Sequence, residues 1–556
     1  MFIFRTHCSF YAEGSIITIP KKKLNYTLNC FGAECSATPE EPLNLTLYMF
    51  SIFASTDQLP ALQAIIDSEF RLNEIVSVKE MPSIGEEITN RFLVVRDHEI
   101  FIPIDWANEA PPYILPYPLE FSAQNLLAVV YTKLGNYEKA YELAEINPFL
   151  LRDIDTLNCL QHGVQVRITE EPFTKLPSFE MYRYWHNTAV MAHYGELTHF
   201  VHYVTIKKYY QKALETAPDD EWRAFTGKHY ASLLLDADEL GEAAQLLHQC
   251  RDMAISDDAR MELQNVQCAV WLKQLQIPYD EALLATIKNS LATLIPYYEQ
   301  RQNGPQAALL LIDASQIANL TDSFAESLGY INRAIALLRQ EDIPELVANA
   351  HYRKGTLLYT WAQNGNPQFL KPAMEAYQEA LKLFTRDNAP EVFAEIHHHL
   401  GVIYSEIPDE AKKKGIWAAV SVSSFKEALR YFTRETNPYE YARICNSYAN
   451  ALTKYPEAAQ SDNHAKALSF YREALDVRTA ADYPHERALT LLNFLEIGWF
   501  VHHENEASEK ALLEEMESYI AELAQLTNDP SLRAEAVQHQ EKLEKLKAVV
   551  NLLTPR

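Results

Sequence analysis

Histidine and cysteine are the residues whose chemistry has to be asked about first in this 556-residue chain, which holds 18 of the former and seven of the latter. His186, His193, His199 and His202 crowd one stretch, and His397, His398 and His399 are consecutive. A metal site on a helix needs donors three or four residues apart with a further acidic or imidazole ligand near by. His199 with His202, and Glu395 with His399, have that spacing. No His-Glu-x-x-His occurs, however, and three consecutive histidines on a helix point about 100° apart, so they cannot meet on one ion. Cys8, Cys30 and Cys35, with His7, match neither a Cys-x-x-Cys zinc knuckle nor a redox pair. The expectation is packing and contact roles for these residues, with no bound metal.

Other chemistry finds no support. The chain contains no Gly-x-Gly-x-x-Gly, no Gly-Lys-Ser/Thr loop and no Gly-x-Ser-x-Gly elbow, so neither a catalytic centre nor a cofactor is expected. With 75 acidic and 49 basic residues the formal charge is −26, which argues against nucleic acid, whose phosphates call for clustered Lys and Arg. Arg5 and His7 interrupt the apolar start, and the longest apolar stretch, Leu43 to Ala54, is too short to span a bilayer. Seven scattered cysteines fit reduced thiols better than a disulfide framework. A cytoplasmic protein without membrane insertion is therefore expected.

The elements that must position any site are written in a repeat. Asn332-Arg-Ala-Ile-Ala-Leu-Leu, Gln378-Glu-Ala-Leu-Lys-Leu-Phe, Lys426-Glu-Ala-Leu-Arg-Tyr-Phe and Arg472-Glu-Ala-Leu-Asp-Val-Arg align without gaps. Their alanines, Ala334, Ala380, Ala428 and Ala474, are 46, 48 and 46 residues apart, and ten residues after each comes Pro344, Pro390, Pro438 or Pro484. Eleven residues beyond the first three prolines lie Gly355, Gly401 and Ala449, small enough to let two helices touch. Within a unit, Ala373, Tyr377, Ala380, Leu381 and Phe384 recur at helical spacing. The unit reads as helix, loop, helix and a terminating proline, and it buries its apolar stripes only by stacking on neighbours. With 15 glycines in the whole chain, few other turns interrupt it.

These residues make the chain resemble the tetratricopeptide repeats, whose unit is about 34 residues of paired helices. The match is clearest in Leu127 to Tyr141, where Ala128, Tyr131, Tyr137 and Ala140 fill family positions; Ala231, Leu234 and Ala243 form a second copy, and Tyr210 to Pro218 a partial third. The later units are longer, with insertions expected between their helices at Trp361 to Lys371, Glu406 to Trp417 and Lys454 to Lys466. The run from Phe432 is similar to arrays common in cyanobacteria. The resemblance implies an all-α, right-handed α-superhelix with a small N-terminal α/β element. Residues 1–42 are expected to be irregular, 43–115 to form the α/β element, 116–505 the repeat array and 506–556 a pair of capping helices. In the second segment Asn90 to Ile104 reads as a hairpin turning at Asp97 and His98, preceded by a helix from Leu59 to Leu72, and the Pro-rich stretch 110–118 reads as a linker or extended strap.

The same resemblance implies a site. Family members contact peptides from the first helix of each pair, at places two, five, six, nine, twelve and thirteen of the unit. With Gly355, Gly401 and Ala449 as place eight, these places include Tyr352, Arg353 and Tyr359 in one repeat, Glu395, His398 and His399 in the next, and Arg443, Asn446, Asn450 and Lys454 in the third. The lysine of the family's carboxylate clamp is replaced by Tyr352 and His398, which disfavours a chaperone-tail receptor. The expectation is a scaffold, adaptor or assembly chaperone that holds a protein or peptide with a basic or polar segment in a concave groove. A peptide-sensing regulator, or an accessory factor in maturing a metalloenzyme such as a hydrogenase, are the alternatives.

Overall fold

The computed structural model describes residues 10–12, 15–17, 50–82, 91–106, 111–168, 177–276, 278–341, 343–456, 462–501, 505–526 and 529–553. His7, Cys8, Cys30, Cys35 and the basic run 21–23 lie outside them. Within the first 42 residues, β1 (Phe10–Ala12) and β2 (Ser15–Ile17) pair antiparallel, a short ribbon where no order was expected. Packing divides the chain into two units, 1–321 and 322–556, a division that falls inside the expected single array.

In the first unit an apolar run becomes the centre of a sheet. β3 (Phe50–Ala54) is buried along its whole length, because parallel neighbours flank it on both edges: β4 (Val76–Glu80), reached through α1 (Leu59–Asp67), and β5 (Arg91–Arg96). The expected hairpin is present, with β5 running into β6 (Glu99–Phe101) through Asp97 and His98. Both turn residues have positive φ, 53° and 65°, the primed geometry that matches the strand twist. The sheet does not end at residue 115. β7 (Leu119–Glu120) pairs with β6, giving the order β4-β3-β5-β6-β7, so the described residues 102–106 and 111–118 belong to an excursion between two adjacent strands.

Helices follow: α2 (Ala123–Lys133), α3 (Tyr137–Ala144) and α4 (Pro148–His162); then, between short strands β8 (Gln165–Val166) and β9 (Glu196–Leu197), α5 (Ser178–Tyr194). After these come α6 (Tyr203–Thr216), α7 (Asp220–Asp236), α8 (Leu240–Arg251), α9 (Asp257–Gln274), α10 (Glu281–Gln300) and α11 (Gly304–Leu320). Seven of these ten starts are marked by short polar caps: the side chains of Ser122, Asn136, Asn147, Asp219, Ser256, Asp280 and Asn303 each accept a first-turn N–H.

The second unit holds α12 (Phe324–Gln340), α13 (Pro344–Gln363), α14 (Leu370–Ala380), α15 (Pro390–Glu406), α16 (Ala411–Tyr431), α17 (Pro438–Leu452), α18 (Asn463–Val477), α19 (Pro484–Gly498), α20 (Glu506–Leu526) and α21 (Pro530–Leu553). Consecutive helices pack as pairs, α13 on α14, α15 on α16 and α17 on α18. The four repeat alanines are fully buried, and three residues before each lies a bulky knob: Ile331, Tyr377, Phe425 or Tyr471. The glycines earn their place by proximity. A Cβ on Gly355 would lie 2.8 Å from the Tyr377 ring, and one on Gly401 3.0 Å from that of Phe425.

Two expectations need correction here. The periodic prolines do not close the preceding helix; each is the first residue of the next, where its missing N–H costs nothing and its fixed φ suits the helix. The residue before each is pushed out of helical geometry, with ψ of 78°, 62°, 65° and 56° at Ile343, Ala389, Asn437 and Tyr483. The insertion expected between helices at Glu406 to Trp417 is mostly part of a helix itself: only residues 407–410 are non-helical, and the remainder lengthens α16 to 21 residues. The central residues of the third insertion, 457–461, are outside the described set. At the end of the chain α20 buries Leu512, Met516, Ile520 and Leu523, and the break before Pro530 falls where the sequence places it.

Candidate functional site

α13, α15 and α17 bring the ten expected contact residues into one succession of first helices, but at three depths. Tyr352, Glu395, His398 and His399 are buried; Arg353, Tyr359, Arg443, Asn446 and Asn450 are half-buried; Lys454 is exposed.

Glu395 organises the lower layer. Its carboxylate accepts from Arg443 Nη2 at 2.7 Å and faces His399 Nε2 at 3.2 Å. Burial by itself pushes this carboxyl toward the neutral acid, yet Arg443 and the two histidines outweigh burial and hold its pKa well below the usual range. Arg443 Nη1 also donates to His398 Nδ1 at 3.0 Å, which places that ring's proton on Nε2. The Nε2–H then has no hydrogen-bond partner. Burial first, and the adjacent guanidinium second, lower the His398 pKa to about 4, so the ring is neutral. His399 stacks on Tyr377, with centroids 5.3 Å apart and planes 6° apart, and receives the edge of Tyr359. Tyr352 lies against Tyr377 at 6.0 Å, and its buried hydroxyl has no partner.

The charged residues that were expected to meet a partner meet one another. Glu395 with Arg443, and Glu406 with Lys454 at 2.6 Å, are both pairs 48 residues apart, joining the same place of successive repeats at places two and thirteen. Gln363 adds a second bond to Glu406 at 2.6 Å. Asn446 Oδ1 accepts from Asn493 at 3.4 Å, and Asn450 Oδ1 accepts from Tyr471 Oη at 2.6 Å. Sequence spacing placed these residues on one face and could not show which of their polar atoms were already spent.

The first unit shows what such a face does when filled; of its side chains only His186 was covered by a sequence expectation, that of a packing and contact role. The excursion between β6 and β7 lies along α5 and α7. With the buried small residues Ala189 and Gly227 as place eight, the contacts fall on the same places. Asn187, at six, donates to the carbonyl of Ile114 and accepts from its N–H, both at 2.8 Å. His186, at five, sets Nε2 2.8 Å from the Pro112 carbonyl, and Arg183, at two, reaches the Ile114 carbonyl at 3.4 Å. On α7, Glu221 at two accepts from Trp106 Nε1 at 2.8 Å, Phe225 at six packs edge-on against that indole, and Lys228 at nine donates to its carbonyl at 3.3 Å. The described part of the Pro-rich stretch, 111–118, thus lies as a strap on α5, with the Tyr113 N–H turned back to the Pro111 carbonyl at 2.8 Å. The signal that could have found its cradle is the spacing of Arg183, His186 and Asn187 ahead of Ala189.

Of the other histidines clustered with His186, one is buried in packing and two are exposed. His193 bonds Tyr210 Oη through Nδ1 at 2.9 Å, while His199 and His202 are exposed. No group of three or more His, Cys, Asp or Glu is disposed to hold a metal among the described residues. Cys159, Cys250, Cys268 and Cys445 are free thiols, and burial pushes Cys250 up to about 11 and Cys268 to about 12. No helix among the described residues is long and apolar enough to cross a membrane.

Paired helices, small residues set against bulky knobs and a polar first-helix face define the class: the chain is a helical-repeat protein with a small mixed sheet in its first unit. No family model matches the sequence, and no curated protein does. Solved structures similar to it include the yeast Tom70, at 15% identity over 77% of this chain and 94% of that one, with a TM-score of 0.23. The TPR domain of P58(IPK) is 13% identical over 76% of this chain and 98% of that one, with a TM-score of 0.21. A circular tandem repeat protein with novel repeat topology is 14% identical over 77% and 96%, with a TM-score of 0.19. At such scores the fold assignment rests on this chain's own helix pairing.

Proposed function

We propose that this protein is a non-catalytic scaffold, adaptor or assembly chaperone of the cytoplasm, holding a partner protein in extended form along α13, α15 and α17. Arg353, Tyr359, Arg443, Asn446 and Asn450 make the contacts, Lys454 lies at the rim, and Tyr352, Glu395, His398 and His399 form the floor that sets their positions. The observation that carries this reading is the strap of the first unit, where the same places of α5 and α7 grip a stretch of extended chain through its backbone. A polar partner segment is favoured over a basic one, since Glu395 and Glu406 already have their cations.

Affinity capture from the native host tests the reading, with the full chain compared against Tyr359→Ala combined with Asn450→Ala. Two lost contacts of about 1 kcal/mol each weaken a partner by about thirtyfold. The same partner, held equally by a folded double variant, would remove this face from consideration.

A further inference from the structure

On the second unit's face, Asn446, Asn450 and His398 have donors left to give. The acceptor oxygens of Asn446 and Asn450 are occupied by Asn493 and Tyr471, which leaves each amide NH2 to give. The carboxylates of Glu395 and Glu406 are taken by Arg443 and by Lys454 with Gln363. Below them, the Nε2–H of His398 and the hydroxyl of Tyr352 have no partner among the described residues. A face of this kind suits a chain that offers carbonyls and few N–H groups, because every N–H buried against it would go unpaired. Proline supplies that chain: it keeps its carbonyl, lacks the N–H and is already extended.

The strap of the first unit has that composition. It carries Pro111, Pro112, Pro116 and Pro118, and no charged residue from 111 to 118. Carbonyls of Pro112 and Ile114 are held by His186, Asn187 and Arg183, against one strap N–H, that of Ile114, taken by Asn187. His186 and His398 occupy the same place five, and the nitrogen that meets a proline carbonyl in the first unit is the nitrogen without an acceptor in the second.

We infer that the face of α13, α15 and α17 takes an extended, uncharged, proline-rich segment of its partner, gripped by backbone carbonyls. This rests on the scaffold reading above and names the chemistry of its ligand. The test titrates the full chain into a fluorescent peptide of the strap sequence Ala-Pro-Pro-Tyr-Ile-Leu-Pro-Tyr-Pro and follows anisotropy. Saturable binding is expected, changing little between low and high salt, as an interaction between uncharged groups does. Asn446→Asp with Asn450→Asp keeps both acceptor oxygens and replaces both NH2 donors; it should weaken the peptide by about tenfold or more. A copy of the peptide with alanine for each proline should also bind more weakly. The inference falls if the strap peptide does not bind, if the folded Asp variant binds it equally well, or if a lysine-rich peptide of the same length binds more tightly. Should the variant lose its native partner in capture while no proline-rich peptide binds, the scaffold reading stands and this inference alone is refuted.

Discussion

Replacing Arg443 by alanine removes the one permanent cation from a carboxylate that is only 6% exposed. With charge centres about 4 Å apart and an effective dielectric near 20, the lost attraction is about 4 kcal/mol, within the roughly 3–5 kcal/mol seen when a buried pair loses one partner. The folded protein has one relief, which is to protonate Glu395 or a neighbouring histidine. That fixes the sign of the pH dependence. In the native chain Glu395 titrates below its ordinary 4.5, so its contribution is present above that value and is lost as pH falls through the depressed one. In Arg443→Ala the carboxyl is buried without its cation, its pKa rises above the unfolded value, and the penalty grows as pH climbs past 4.5. The gap between variant and native chain should be about 3–4 kcal/mol at pH 8 and shrink toward pH 4. Hydrogen exchange of the α15 amides reads this opening locally, which matters in a chain of two units. Adding Glu395→Gln should recover much of the loss, because no charge is then stranded. A gap below about 1 kcal/mol at pH 8, unchanged by acid and not improved in the double variant, would refute the account of Glu395 as a buried anion held by Arg443.

Other expectations follow from single contacts. Gly401→Ala gains about 1 kcal/mol of helix propensity but drives a methyl to 3.0 Å from Phe425, so thermal melting should show a net loss of about 1 kcal/mol. Gly355→Ala, meeting Tyr377 at 2.8 Å, should lose more than Gly401→Ala in the same assay, and equal melting temperatures for the two would contradict the packing argument. Asn187→Ala should release the strap, since two backbone bonds to Ile114 vanish at a cost of about 2–3 kcal/mol; faster exchange of the Ile114 amide and proteolytic nicking between residues 106 and 118 are the readouts. His186 is buried and neutral with a pKa lowered to about 4 by burial, against an ordinary 6.5. The unfolded chain therefore takes up the extra proton between those values, and the first unit should weaken as pH falls from 6.5 toward 4, a slope that His186→Gln flattens.

Much of the fold was legible because it is local. A helix that must bury a stripe repeats its apolar residues every three or four positions, and a stack of pairs repeats the whole unit, so alanines 46 to 48 residues apart announced the array. Asp97 and His98 announced the hairpin for the same reason, since turn chemistry is written in adjacent residues. The prolines were visible, but whether each closed one helix or opened the next depended on φ and ψ at the residue before it. Likewise the segment following Glu406 carried no mark to distinguish a loop from two added turns of α16.

For the candidate site, register alone placed ten residues on the first helices, and Arg443, Asn446 and Asn450 are there. What no spacing could supply is the partner of each polar atom. Glu395 was expected to attract a basic segment; the structure sets Arg443 against it from the next repeat, a contact across 48 residues that exists only once helices stack. Cross-repeat distances decide which charges cancel, and those cancellations leave a donor-rich, near-neutral face in place of an acidic groove. The sequence by itself therefore determined the helix pairs, their period and the residues on each face, all set by local sterics and periodic burial. Tertiary structure alone decided that Trp106 and the Pro112 to Ile114 segment come to lie on α5 and α7, and that the acceptor oxygens of Asn446 and Asn450 are taken by Asn493 and Tyr471, because hydrogen bonding is settled by which surfaces stacking brings within about 3 Å.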